Sequence, residues 1–257
     1  MNGKIILKRI HTGIKGLDNL IEGGIPEGWS VLLTGPTGTG KTTLAIQYLY
    51  NGYRGYNEPG VYISLEEDVQ DILKVMSTFN WDLNTLQKEK KLVMINAIPK
   101  KSPDATEYVI KAPLFSQTFS FESICSLLEE KINEINATRV VVDGLSALAL
   151  LYQDDFKIRQ GLLDMTNTIR SSGCTTIYTT EIPEGSVGIS RFGIEEFIAH
   201  GVIILYYVRE GGKRTRAIEI RKMRGTRHDQ SLHPYEITDK GIDVFSEEIA
   251  FLRDNLL

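Results

Sequence analysis

The residues best equipped for chemistry stand in one run, "GPTGTGKTT", from Gly35 to Thr43. The run matches G-x-x-x-x-G-K-[ST], a loop whose backbone N–H groups surround phosphate oxygens. Gly35, Gly38 and Gly40 let the backbone approach those oxygens where a side chain would obstruct it. Lys41 brings a positive charge to the β- and γ-phosphates, and the N-terminus of the helix that follows adds its partial charge. Thr42 places a hydroxyl on Mg²⁺, while Thr39 and Thr43 complete the nucleotide-binding loop. The expected ligand is a nucleoside triphosphate with its Mg²⁺.

Such a loop requires an acidic residue at the end of another strand, and "RVVVDG" supplies Asp143. Its expected role is to hold the Mg²⁺ shell through water. Hydrolysis also needs a group that polarises the attacking water. "VYISLEED" offers Glu66 and Glu67 just past another strand. In an extended segment, consecutive side chains point to opposite sides, so only one of the two is expected to face the γ-phosphate. Glu66 is taken as the base, with Glu67 orienting it or tuning its charge. The plainer reading is that "EED" starts a helix, where acidic residues suit the dipole.

These groups need a scaffold. Strand-like runs at Val31–Thr34, Gly60–Ser64, Leu92–Asn96, Arg139–Asp143, Thr175–Thr180 and Gly201–Val208 alternate with helical patterns such as "TTLAIQYLYNGY" and "FESICSLLEEKINEI". "RVVVD" and "GVIILYYV" are almost wholly apolar, as in strands covered on both faces. The expected fold is α/β: a mostly parallel, twisted sheet with helices on both faces. After Val208 the pattern becomes strand, turn, strand, and Gly211-Gly212 predicts an antiparallel C-terminal hairpin. Ala97–Thr118 carries three prolines and no clear period, and reads as a loop or flap.

Composition narrows the classes. A chain of 257 residues with 42% hydrophobic content can bury one sizeable core, so residues 1–257 are read as a single domain. A formal charge of −4 argues against a surface that coats nucleic acid throughout, though it leaves room for a local basic stripe. Cys125 and Cys174 stand singly in apolar surroundings and read as buried thiols. The apolar core of "MNGKIILKRIHTG" is too short for a signal peptide, and no run approaches the ~18 apolar residues of a membrane span. A cytoplasmic chain with no membrane partner is expected.

The lead-in "TGIKGLDNLIEGGIPEGWSVLLTGPTGTGKTTLA" resembles the RecA/RadA superfamily of ATPases. "SLEED", "VVVDGLSAL", "TTE", "RFGIEEF" and above all "KMRGTRHD" (Lys222–Asp229) sharpen this to a single KaiC-like domain, of the type found in archaea. The resemblance runs from about His11 to Phe245. It implies a RecA-like P-loop core, Mg²⁺-dependent ATP hydrolysis, and a homo-oligomer, usually a hexameric ring, with ATP held between neighbours. The neighbour would offer the residues matching Lys222, Met223 and Arg224, with Thr226 and His228 close to the nucleotide. Arg216 matches another nucleotide-contacting arginine, and Thr78 and Phe79 match positions near the adenine. Phe79 could stack on the base, although an aromatic at a helix end is more often core.

Two further expectations concern use of the triphosphate. The same module is duplicated in the cyanobacterial clock protein of this family, and in its phosphorylating half a Ser-Thr pair precedes the strand matching "GVIILYYV". The aligned residues here are Glu196 and Phe197, which lack a hydroxyl, so water is the expected acceptor. An ATP-driven ring serving an unidentified client protein fits this better than a metabolic enzyme does, because no small-substrate motif stands beyond the nucleotide site. The rival reading starts from Arg209, Lys213, Arg214, Arg216, Arg221, Lys222, Arg224 and Arg227, a basic cluster that could track a nucleic-acid backbone, as in a recombinase-like ATPase.

Overall fold

The computed structural model describes residues 7–101, 108–112, 115–150, 152, 154–182, 188–191, 193–210 and 213–250. Strand β1 (Arg9–Ile10), helix α1 (Leu17–Leu20) and β2 (Ile25–Pro26) form an N-terminal clasp in which β1 and β2 pair antiparallel. The core follows as β3 (Ser30–Gly35), α2 (Lys41–Tyr56), β4 (Gly60–Ser64), α3 (Val69–Met76), α4 (Leu83–Lys88) and β5 (Leu92–Asn96). Three short strands come next: β6 (Lys100–Lys101), β7 (Tyr108–Ala112) and β8 (Phe115–Thr118). Then come α5 (Phe121–Ile135), β9 (Arg139–Asp143), α6 (Asp155–Ser171), β10 (Thr175–Glu181) and α7 (Glu195–Ile198). The chain closes on β11 (Gly201–Glu210), β12 (Lys213–Met223), β13 (Leu232–Thr238) and β14 (Gly241–Val244).

Among the described residues, nine strands make one sheet in the order β14-β13-β12-β11-β3-β10-β9-β4-β5. Neighbours from β11 to β5 are parallel, and those from β11 to β14 are antiparallel. This is the mixed α/β sheet expected from the sequence. β11 and β12 pair out to Glu210 and Lys213, and the Gly211-Gly212 turn lies outside the described residues.

Alternation along the central strands feeds two cores. Val31, Leu33 and Val141 join Leu44, Leu49, Ile72 and Met76 on the face covered by α1 to α4. Leu32, Val140, Val142 and Ile63 join Ile124, Leu128, Leu162 and Ile169 on the face covered by α5 and α6. At the crossing of α5 and α6, Gly161 leaves room for Phe121, whose ring would lie 2.1 Å from a Cβ added there.

Ala97–Thr118 differs from the loop expected of it. β6, β7 and β8 pair antiparallel into a small sheet of their own. Its prolines had argued against strands, but Pro99 precedes β6 and so interrupts no ladder. Pro103 and Pro113 lie outside the described residues.

Beneath α2 lies a fully buried cation. Arg139 donates from Nε to Glu58 Oε2 at 2.7 Å, from Nη1 to Tyr48 O at 2.8 Å and from Nη2 to His11 O at 2.7 Å. Its guanidinium also lies 4.4 Å from the Tyr48 ring centroid. One side chain thereby ties the N-terminal clasp, α2 and the start of β9 together. Gly52 makes room for it, since an added Cβ would sit 2.3 Å from Nε. Arg139→Ala strands Glu58 and two carbonyls and should cost about 3–5 kcal/mol, read as a lower midpoint in urea unfolding. An unchanged midpoint would show that this clamp adds nothing to stability.

Candidate active site

The phosphate loop leaves the C-terminal end of β3 and enters α2 at Lys41. Gly38 and Gly40 both adopt positive φ, at 79° and 96°, a region that L side chains rarely enter. Beside the loop lies a cleft of about 450 Å³. Gly38, Gly40, Lys41, Thr42, Thr43, Glu66, Glu67, Phe79 and Asp143 all line it. Lys41 Nζ donates to the loop's own carbonyls, Gly35 O at 2.8 Å and Pro36 O at 3.1 Å. Burial pulls the Lys41 pKa below the usual lysine value, opposed by the charges of Glu181, Asp143 and Glu66.

Asp143 ends β9 as a buried carboxylate held from three sides. Thr42 Oγ1 donates to Oδ2 at 3.0 Å, Tyr62 OH donates to the same oxygen, and Thr179 Oγ1 donates to Oδ1. The Tyr62 phenol is raised well above its ordinary pKa by burial and by Asp143 itself, so it stays a donor. The direct link between Thr42 and Asp143 joins the two groups assigned to Mg²⁺. A hydroxyl and a carboxylate at this separation are hard oxygen donors of the kind that ion takes.

Glu66 and Glu67 both line the cleft, and the extended backbone assumed for them is absent. The chain bends at residues 65–67 instead of continuing extended. Ser64 causes the bend: its Oγ accepts from Glu67 N at 3.1 Å and donates to Glu67 O at 2.5 Å. The helix-start reading fits the third acid alone, since Asp68 caps α3 by accepting from Gln70 N. Burial and the neighbouring charges of Asp143 and Glu181 raise the Glu66 pKa above the ordinary carboxylate value. Burial, Asp143 and Asp71 do the same for Glu67. Gly144, at φ 89°, lets Glu66 settle against the end of β9, where an added Cβ would lie 2.7 Å from Glu66 Cγ.

The remaining predicted contacts separate. Thr39 is buried and turned away, its Oγ1 donating to Pro36 O at 2.8 Å. Thr78 is exposed, and its hydroxyl donates to Val75 O at 2.7 Å. Phe79 lines the cleft while stacking on Trp81, with centroids 4.9 Å apart, so it serves cleft and core together. Arg216 lies behind the phosphate loop, 5.5 Å from the Tyr207 ring centroid.

Lys222, Met223, Arg224, Thr226 and His228 lie at the other end of the sheet. Met223 pairs with Gly201, and Gly201 with Val31, near the start of β3, whereas the loop leaves at Gly35. The separation along the strands is on the order of 13 Å. There Lys222 Nζ donates to Glu196 O at 2.8 Å and Ala199 O at 2.7 Å. Met223 is buried, Arg224 is exposed, Thr226 accepts from Arg9 Nη1 at 3.0 Å, and His228 Nδ1 lies 3.3 Å from Thr226 O. Of the basic cluster, Arg216 and Lys222 lie at opposite ends of β12. Arg221 pairs with Glu219 and Arg227 with Glu22, and the side chains of Arg209, Lys213 and Arg214 lie outside the described residues.

Sequence reasoning missed Glu181. It ends β10 level with Gly35, lines the cleft and accepts from Thr37 Oγ1. Its signal was close to the one that identified Asp143: a strand of β-branched and aromatic residues closing on an acid, "TTIYTTE".

This geometry has counterparts among known proteins. A family model described as "ATPase: KaiC" matches residues 10–249. The circadian clock oscillator protein KaiC of Synechococcus elongatus is 37% identical over 239 residues, 93% of this chain and 44% of that protein. The KaiC of Thermostichus vulcanus is 36% identical over the same shares. The chain thus spans less than half the length of these relatives. The crystal structure of a KaiC-like protein from the archaeon Pyrococcus horikoshii matches with a TM-score of 0.80 at 40% identity, over 93% of this chain and 100% of that one. The sheet is the RecA-like core expected from the resemblance, and the chain belongs to the KaiC ATPase family.

Proposed function

We propose that this chain is a Mg²⁺-dependent ATPase that works as a ring of copies of itself, six by the family pattern, with ATP between neighbours. One observation carries the reading: the two halves of the site sit at opposite ends of one sheet. The phosphate loop, Asp143, Glu66 and Glu67 share a cleft, whereas Lys222 and Arg224 lie at the far end. Copies arranged head to tail bring the far end of one to the cleft of the next.

In this reading Lys41 and the amides of the loop bind the β- and γ-phosphates. Thr42 and Asp143 hold Mg²⁺, which when bound neutralises charge developing on the phosphates. Glu66 takes the proton of the attacking water, and its raised pKa makes it a stronger base than a solvated carboxylate. Glu67 tunes its charge. The neighbour's Lys222 and Arg224 stabilise the transition state in trans, with Met223, Thr226 and His228 beside them. Water is the acceptor, since Glu196 and Phe197 offer no hydroxyl at the family's autokinase positions. Hydrolysis then drives a change of ring conformation or assembly that a client protein reads, in the cytoplasm. Arg221 and Arg227 pair with Glu219 and Glu22, which supports this over nucleic-acid tracking.

Lys41→Ala should abolish binding of Mg²⁺·ATP, measured by calorimetry. Glu66→Gln should keep binding and slow hydrolysis by roughly 10²–10⁴-fold, because an amide is a poor base of near-equal shape. Hydrolysis at the wild-type rate would move the base to Glu67. The trans arrangement has its own test. Arg224→Ala and Glu66→Gln should each be slow alone, yet recover part of the wild-type turnover when co-expressed. In a mixed ring, some interfaces pair an intact Glu66 with an intact Arg224. Mixed oligomers without recovery would return the basic residues to nucleic acid, with stimulation by single-stranded DNA as the sign.

A further inference from the structure

The phosphate loop is held from behind by the C-terminal antiparallel sheet. Tyr207, on β11, donates its phenol to Gly38 O, and Tyr235, on β13, donates to Thr39 O at 2.5 Å. Ile237 fills the space beside Gly40, where an added Cβ would meet its Cδ1 at 2.7 Å. About two turns further along α2, Gln47 exchanges two bonds with the backbone of Ile242: Nε2 to Ile242 O at 3.1 Å, and Ile242 N to Oε1 at 2.7 Å. The loop and the first turns of its helix therefore rest on strands that come almost two hundred residues later.

Those two phenol bonds have a consequence for the amides. A trans peptide is planar, so its C=O and N–H point in opposite directions. The carbonyl of Gly38 belongs to the peptide that carries the Thr39 N–H, and the carbonyl of Thr39 to the one that carries the Gly40 N–H. Fixing both carbonyls towards the C-terminal sheet turns both N–H groups the other way, into the loop. The Thr39 N–H points inward and donates to Pro36 O at 3.4 Å across the turn, a long bond that an incoming phosphate oxygen would replace. Burial raises the Tyr235 phenol above its ordinary pKa, so it remains a donor. Tyr207 packs against the Arg216 cation.

We infer that Tyr207 and Tyr235 are positioning residues for phosphate binding, aiming the Thr39 and Gly40 N–H groups at the phosphates by anchoring the carbonyls behind them. The inference rests on the proposed ATP site and adds what orients its loop. It also explains why the last third of the chain acts on a motif near its start. These amides meet phosphate oxygens in the ground state and the transition state alike, so losing their aim weakens both equally and raises KM more than it lowers kcat.

The test uses the full chain with Tyr207→Phe and Tyr235→Phe, which remove one hydroxyl each. The Kd values for Mg²⁺·ATP and Mg²⁺·ADP, and KM, should rise about tenfold, with kcat/KM falling in proportion and kcat changing far less. A merely structural role would do the opposite. It would lower apparent kcat by reducing the folded fraction and leave KM and both Kd values in place, and that result overturns the inference. Wild-type affinity in both variants overturns it too. Tyr235 is buried, so if its variant unfolds, the half-buried Tyr207 decides the matter by the same criteria. A wild-type chain that binds neither nucleotide would sink the ATPase reading itself, a result distinct from these.

Discussion

Parallel pairing of β3, β10, β9 and β4 brings Gly35, Glu181, Asp143 and Ser64 to one edge of the sheet. Glu181 is level with Gly35, and Ser64 with Asp143. Each of these four strands therefore delivers its chemistry at its C-terminal end, where the chain turns out of the sheet and a ligand can lie. The phosphate loop, the carboxylate of Asp143 and the bend carrying Glu66 and Glu67 meet for this reason, although they are distant in sequence. Slipping one strand by a residue would turn its apolar set to the other layer, so the two cores hold the register that the site needs.

That edge collects charge. Asp143, Glu66, Glu67 and Glu181 line the same cleft as Lys41. Burial and mutual repulsion lift both glutamates above the ordinary carboxylate pKa, while the same carboxylates oppose the fall that burial imposes on Lys41. Such a group of acids favours the entry of a cation with a polyanionic ligand. The structure limits the cost by giving the deepest carboxylate, Asp143, three donors, from Thr42, Tyr62 and Thr179.

The antiparallel strands add a second polarity. β12 carries Arg216 near the phosphate loop and Lys222 at its other end, by the carbonyls of α7. β11 runs beside it from Gly201, level with Val31, to Tyr207, whose phenol reaches Gly38. One pair of strands thus spans the sheet from the loop to the cluster that would face a neighbour. A strand is stiff along its length, so the two ends share one rigid frame.

The phosphate loop was legible because its residues are contiguous and its glycines answer a local steric demand. The sheet was legible because "RVVVD" and its like are apolar on both faces, and the two core layers bear this out. Asp143 could be picked out because a phosphate loop demands an acid at a strand end. The bend at Glu66 and Glu67 could not, since it depends on how the Ser64 hydroxyl is used. Nor could the small sheet of β6 to β8, whose short strands take their register from cross-strand partners. By itself, then, the sequence determined the local parts: loop, alternating elements, acidic strand ends and family. Tertiary structure alone decided that Glu181 joins the cleft, that Tyr62 and Thr179 hold Asp143, and that Tyr207 and Tyr235 stand behind the loop. It also set Lys222 and Arg224 at the opposite end of the sheet. The physical reason is that hydrogen bonds and charges act over a few ångströms of space, and pairing of strands, not distance along the chain, fixes which groups lie that close.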